Sequence, residues 1–284
     1  MPSKKTIKRR IKSVGTTKHI MKAMDMVAAS KLQKNKSRLS VSRPLFEESQ
    51  RIIDTLRVNE DAADNVFIKP RKVKSTAYVV ISSDRGLCGG YNTNVSQTAY
   101  DHMKKSGANE QIIAFGSKGR DFFRRRRKTI LHTYPNISES KYYENAEVIS
   151  NVLLSMYLSE KVDEVYVAYT YFESALSYVP KVVRLLPLGE EGLEPEFRAD
   201  SMQYEPNVDH FLTHAIPAYL NAFLYDAMLE SGSSEQASRM VSMDSATKNA
   251  TEIIDDLTLM FNRIRQSAIT QEITEIVSGA NVTK

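Results

Sequence analysis

The residues best placed to do chemistry are Ser83-Asp84-Arg85-Gly86-Leu87-Cys88-Gly89-Gly90, a glycine-rich turn between a strand-like and a helix-like segment. Backbone N–H groups in such a turn, where it opens a helix, can cradle a phosphate. The spacing matches neither G-x-G-x-x-G nor G-x-x-x-x-G-K-[ST], and Gly116-Ser117-Lys118-Gly119 fails both patterns as well. A tight turn that needs glycine's backbone freedom is the stronger reading. His210 and His214 are four apart on a helical stretch and could share a metal ion, but no third ligand stands at recognisable spacing. Cys88 is the only cysteine. It has no base beside it in sequence to activate a nucleophile, and a buried small residue is the simpler reading. No intrachain disulfide is possible, which fits a reducing compartment.

Charge is the next candidate for function. Residues 1–43 hold thirteen Lys/Arg and a single acid, Asp25, whereas the rest of the chain is net acidic, with 26 Lys/Arg against 33 Asp/Glu. A basic end of this kind is a solvated helix face or a surface for an acidic protein, a nucleic acid or an anionic membrane. A transit peptide fits less well, because the helical pattern runs on past the basic stretch. Arg124-Arg125-Arg126-Arg127-Lys128 is the sharpest basic run. It could hold nucleic-acid phosphates, but it closes a short helix, where cations suit the helix dipole, and no DNA- or RNA-reading motif accompanies it. Met21, Met24 and Met26 have the spacing of helix packing, and a soft binding surface is the less economical account.

These residues must be positioned by long helices. From Ile7 the apolar or small positions step by fours and threes through Ile11, Val14, Met21, Ala28 and Leu32, with Lys18 and Asp25 in the two interrupting slots. This heptad seam predicts a helix from about Ser3 to Leu56, able to tolerate Pro44 as a kink. At the other end Met240, Met243, Thr247, Ala250, Ile254, Leu257, Phe261, Ile264 and Ala268 keep a strict three-four alternation, which implies a left-handed supercoil. The stripe extends back to Asn207, with Pro217 a possible kink and Ser231-Gly232-Ser233-Ser234 a possible interruption.

Between the helices, residues 76–82, 111–115, 164–170 and 179–186 read as strands, and stretches near 93–105, 118–127 and 145–160 as helices. That alternation predicts a mostly parallel sheet covered by helices. The fold class is therefore α/β: a long antiparallel two-helix coiled coil from the two ends, with a central Rossmann-like α/β domain. The expected division is 1–57 for the first helix, 73–190 for the central domain and 207–284 for the second helix, with 57–72 and 187–206 as linkers. Two helices of about 80 and 105 Å at ~1.5 Å per residue do not end level. The longer one is expected to carry Ile269, Ile273, Ile276 and Val277 past its partner as an apolar stripe that other chains must cover. No run approaches the roughly 18 apolar residues of a membrane span, so membrane contact is expected only through partners.

Three passages together resemble the γ subunit of F-type ATP synthase, in order and across most of the chain. The first is Arg10-Ile11-Lys12-Ser13-Val14 leading into residues 21–32, MKAMDMVAASKL. The second is residues 83–90, SDRGLCGG, and the third joins residues 234–243, SEQASRMVSM, to residues 265–280, RQSAITQEITEIVSGA. Phe122-Phe123-Arg124 and Tyr204-Glu205-Pro206 sit where that family has similar segments.

The resemblance implies a non-catalytic rotor shaft of a proton-driven synthase, without catalytic, cofactor-binding or metal-binding residues of its own. It implies partners as well: a sleeve of α and β subunits, the ε subunit, and the membrane c-ring. By the same resemblance Arg265 and Gln266 would be polar contacts to β, with Met24, Arg239, Thr270 and Glu272 in the coupling region. Ile269, Ile273 and Ile276 would seat the tip in an apolar bearing, and Tyr204 and Glu205 would form the foot on the c-ring. The basic first helix would face acidic loops of β, with no nucleic acid involved. The absence of the chloroplast form's cysteine pair and of a convincing presequence favours a bacterial type, peripheral on the cytoplasmic side of the cell membrane. Taken without the resemblance, the residues leave two other readings open: a basic coiled-coil nucleic-acid binder, and a small nucleotide-binding regulator using Gly86–Gly90.

Overall fold

A computed structural model describes residues 3–57, 59–189, 204–205 and 207–282. The first helix, α1 (Lys4–Arg57), opens on Ser3, whose hydroxyl accepts the Thr6 amide. It continues through Pro44, a residue that costs a helix interior ~3 kcal/mol. Packing offsets that cost: Phe46, one half-turn on, meets Phe223 edge to face at 5.5 Å, and Ile53 and Leu56 are fully buried. The last helix, α5 (Val208–Val282), likewise runs unbroken through Pro217 and through Ser231–Ser234. The interruption expected at those serines is absent, for a reason that becomes plain at the sheet edge.

The chain forms two compact units, one of residues 29–239 and one joining 1–28 to 240–284. In the larger unit, β1 (Ser75–Ile81), β2 (Asn109–Phe115), β3 (Ile130–Tyr134), β4 (Glu164–Phe172) and β5 (Tyr178–Leu186) make one sheet. Its order is β3-β2-β1-β4-β5, with every pair parallel except β4 with β5. The central strand β1 is buried on both faces over Thr76–Ile81, which is why it reads as an unbroken apolar run. On one face Tyr78, Val80, Ile112 and Ala168 pack with Val95, Ala99 and Met103 of α2 (Tyr91–Ser106) and Phe122 and Phe123 of α3 (Ser117–Arg125). On the other, Phe115 meets Tyr142 of α4 (Tyr142–Leu158) and Tyr169 meets Phe223 of α5.

Within this unit the two long helices lie antiparallel. Asn35 faces Gly232, the Ser42 hydroxyl donates to Asp226 at 3.1 Å, and Phe46 packs on Tyr219 and Phe223. In the smaller unit every expected seam position is buried or half-buried: Ile7, Ile11, Val14, Met21 and Ala28 on α1, and Met243, Thr247, Ala250, Ile254, Leu257, Phe261, Ile264 and Ala268 on α5. Lys18 and Asp25 also point inward, Asp25 paired with Lys22 at 2.7 Å, and Lys22 is drawn as well to Asp244.

Two segments depart from the expectation. Residues 130–134 form the edge strand β3, which the short sequence ILHTY after a basic run did not announce. Within residues 59–72 the chain is anchored to the core, with Phe67 stacked on Tyr157 at 6.2 Å and its carbonyl accepting the Leu188 amide. Most of 187–206 lies outside the described residues. None of the described helices is long and apolar enough to cross a membrane.

Gly116, between β2 and α3, has φ +91°, and a Cβ there would stand 2.3 Å from the Ser82 carbonyl oxygen. Gly107, which caps α2 at φ +66°, has open space around it. The G107A chain should lose about 1 kcal/mol of unfolding free energy and G116A about 3 kcal/mol or more, read by denaturant unfolding. Equal losses would show that the close approach at Gly116 carries no weight.

Candidate functional site

In an open parallel sheet, ligands bind outside the carboxyl ends of the strands, at the point where the chain reverses its direction of winding. Here that point lies between β1 and β4. The glycine-rich turn sits there, and its polar groups are occupied from within. Asp84 accepts the Ser117 amide and hydroxyl at 2.8 and 2.6 Å and the Asn136 amide at 2.8 Å. A carboxylate thus already caps the start of α3, where a phosphate would otherwise sit. The Arg85 carbonyl accepts from Ser83 at 2.6 Å and from Asn92 at 3.3 Å, and Asn92 also takes the Ser83 amide. Leu87 and Gly89 carry the positive φ angles of the turn, at 61° and 52°.

Helix α5 fills the rest of the crevice. The Ser238 hydroxyl donates to the Cys88 carbonyl at 2.6 Å, and Arg239 reaches the Gly86 carbonyl at 3.3 Å. On the β4 side the Ser231 hydroxyl accepts the Thr170 amide at 3.2 Å, and Ser234 donates to the Thr170 carbonyl at 3.3 Å. A Cβ at Gly232 would meet Asn35 at 3.2 Å and Tyr142 at 3.4 Å. The serines and glycine that looked like a helix break are therefore the small, hydrogen-bonding face on which the helix enters a tight groove. Cys88 lies beneath it, buried, with a thiol that desolvation pushes up in spite of nearby Arg239.

The other candidates resolve as structure. The rings of His210 and His214 lie 4.8 Å apart, tilted by 51°, on exposed turns, with His214 Nδ1 3.0 Å from the His210 carbonyl. Among the described residues no group of three His, Cys, Asp or Glu could hold a metal ion. The basic run is divided: Arg126 lies over the Phe122 ring at 3.6 Å, and Lys128 pairs with Glu110 at 2.9 Å.

The residues singled out for partner contact fall in several places. Met24 is half-buried on α1 in the smaller unit. Arg239 belongs to the larger unit and is 8% exposed, paired with Glu235 at 2.7 Å and hydrogen-bonded to Gln236 at 3.1 Å, so it acts as an internal strut. Arg265, Gln266, Thr270, Glu272, Ile273 and Ile276 share one stretch of α5 in which, after Ala268, every side chain through residue 278 is exposed. At about 100° per residue they occupy one side of the helix together with Ile269 and Val277. Gln271 and Glu275, which continue the old seam, are polar. The apolar stripe has swung away from the α1 seam, and Ile276 is 71% exposed. Tyr204 is half-buried with its ring 5.3 Å from Phe211, and Glu205 is exposed.

An acidic pair on α5 escaped the sequence reading. Glu230 forms a close ion pair with Arg43, which also reaches the Phe172 carbonyl and lies over Tyr171, while Asp226 accepts from Ser42. Both carboxyls are raised by burial, against the pull of Arg43, and Asp226 is pushed up to about 6. The only signal in sequence was two acids four apart on an otherwise apolar helix face.

An α/β domain whose ligand crevice is taken by its own helix, with a helix end bearing an uncovered apolar stripe, defines a protein of assembly whose working surfaces face other chains. Comparison with known proteins agrees. Residues 3–282 match the family described as ATP synthase. The chain is 45% identical to the ATP synthase gamma chain of Alkaliphilus metalliredigens, over 98% of both chains. It is 40% identical to the sodium-ion-specific ATP synthase gamma chain of Acetobacterium woodii, over 96% of both. It is also similar to a chain in the central stalk and c-ring structure of the Tetrahymena thermophila mitochondrial ATP synthase, with 28% identity, a TM-score of 0.64, and coverage of 80% of this chain and 99% of that one. The chain belongs to the ATP synthase gamma chain family.

Because Asp226 is raised from its ordinary 3.8 to about 6, ionising it in place costs ~3 kcal/mol. Between those values the folded chain holds a proton that the unfolded chain releases, so this stability is present in full below 3.8 and is lost progressively as pH rises from there through about 6. D226N should therefore raise the thermal midpoint by several degrees at pH 8 and leave it nearly unchanged at about pH 3.5. A gain that is the same at both pH values would contradict the assignment.

Proposed function

We propose that this chain is the non-catalytic central-stalk rotor of a bacterial F-type ATP synthase. Its proposed partners are the α and β subunits of the catalytic ring, the ε subunit and the c-ring. It is peripheral at the cytoplasmic face of the cell membrane and reaches the membrane only through those partners. The observation that carries this reading is the exposed stripe Ile269, Ile273, Ile276 on a helix that has left its own seam. An apolar surface of this kind on a stiff element is expected inside a sleeve.

In this role ion flow turns the c-ring and the foot, where Tyr204 and Glu205 bear on it. The paired helices carry the turn to the ring, and their uneven surface drives each β subunit in turn through binding, forming and releasing nucleotide. One charge crossing 100 mV supplies roughly 2.3 kcal/mol, so several crossings must be pooled by one stiff element before ATP can form. A supercoiled pair with its core at every seam position is such an element. Arg265, Gln266, Thr270 and Glu272 would make the polar contacts to β alongside Met24, and Arg239 would support the coupling region from inside. The basic residues 4–43 would face acidic loops of β. Protons are the proposed coupling ion. A sodium-specific relative at 40% identity is consistent with ion choice residing in other subunits.

The test is co-purification of α and β with this chain, wild type or truncated before Arg265. Expected are one copy per ring, ATP hydrolysis by the ring but none by the chain alone, and weaker coupling after truncation. Rings that ignore the chain, or ATP turnover by the purified chain itself, would overturn the proposal.

A further inference from the structure

A rotating helix must not spin inside its own mounting. Apolar packing resists separation well but resists rotation about the helix axis only through the shape of ridges and grooves, whereas hydrogen bonds are directional. On α5 the positions 231, 234 and 238 lie on one face, spaced by three and four, over ~10 Å of axis. All three are essentially fully buried. Each bonds a loop or strand end of the sheet rather than the other long helix. Ser231 takes the Thr170 amide at 3.2 Å. Ser234 donates to the Thr170 carbonyl, and Ser238 donates to the Cys88 carbonyl. The helix is thus fastened on one flank to the end of β4 and on the other to the turn after β1. These are the last turns of α5 before the boundary of the larger unit at Arg239.

We propose that Ser231, Ser234 and Ser238 form a torsional key: positioning residues that fix the rotation of α5 about its own axis against the sheet, so that torque applied to the α/β domain enters the helix. The inference rests on the central-stalk reading and adds to it the place where torque is taken up. The hydroxyls bond main-chain atoms, so the key does not depend on the identity of the loop side chains. Methyl groups in their place would keep the packing and remove the hydrogen bonds that tie the helix to Thr170 and Cys88, leaving the Cys88 carbonyl with only the Tyr91 amide at 3.2 Å.

The experiment uses the assembled complex of α, β and this chain, with the ring fixed to a surface and a bead on a cysteine introduced by S106C, an exposed position at the end of α2. With hydrolysis arrested, the angular variance of the bead reports torsional stiffness. The S231A/S234A/S238A chain should show about two-fold wider variance than wild type, each single variant a smaller increase, and S245A, which removes an exposed serine of the same helix ahead of the stretch that meets the ring, none. A purely structural role would reduce the number of working complexes without softening those that remain. Unchanged variance in the triple variant, or in the single variants should the triple not assemble, overturns the key. If the wild-type bead does not rotate when ATP is supplied, it is the central-stalk reading that has failed, and the key falls with it.

Discussion

The burial of one helix against the carboxyl ends of parallel strands is the constraint from which the rest follows. A helix can cross that edge only if its contact face is small and if the main-chain groups ending each strand find partners on it. Ser231, Gly232, Ser234 and Ser238 meet both conditions, and Arg239 closes the row on the Gly86 carbonyl. The cost is functional as well as steric. The crevice that an open α/β sheet normally offers to a ligand is occupied, and the glycine-rich turn that resembles a phosphate cradle has become part of a mounting. A carboxylate, Asp84, stands where an anion would bind.

The same arrangement accounts for the charged groups inside the larger unit. Where α1 crosses α5, Arg43 meets Glu230 and Ser42 meets Asp226, with Tyr169, Tyr171 and Lys181 of the sheet around them. Buried ion pairs add little net stability compared with apolar packing, but removing one partner is costly, and so they favour one register over its neighbours. A three- or four-residue slip of α1 along α5 would strand Arg43 and both acids. In the smaller unit the seam is almost wholly apolar or small, and the polar slots Lys18 and Asp25 are half-buried. Beyond Ala268 the seam turns polar at Gln271 and Glu275 while the apolar stripe moves to another side of the helix, which is the pattern of a surface meant for a different partner.

Much of this was legible because periodicity is a physical record of burial. Both long helices, the central strands and the uncovered tip follow from the spacing of apolar residues alone. What spacing could not give was tertiary. Ser231–Ser234 reads as a break because small polar residues weaken an isolated helix, and only the groove that receives them reverses the sign. The edge strand β3 has too few residues and too little burial to stand out, with His132 between Leu131 and Thr133. Residues 57–72 looked like a linker from their acids and proline, yet Phe67 and Ile68 hold them to the core. Arg239 was singled out as a partner contact by resemblance, and its pairing with Glu235 depends on a helix face that the sequence left undefined. Asp226 and Glu230 have ordinary spacing for a solvated face, and only the crossing of α1 buries them.

The central claim is that this chain does mechanical work as a turning element. The most direct measurement is rotation: a ring of α and β fixed to a surface, this chain carrying a bead at S106C, and ATP supplied. The account predicts stepwise turning of the bead in one direction, at a rate that follows hydrolysis. A ring that hydrolyses ATP at full rate while the bead only fluctuates about one angle would contradict it.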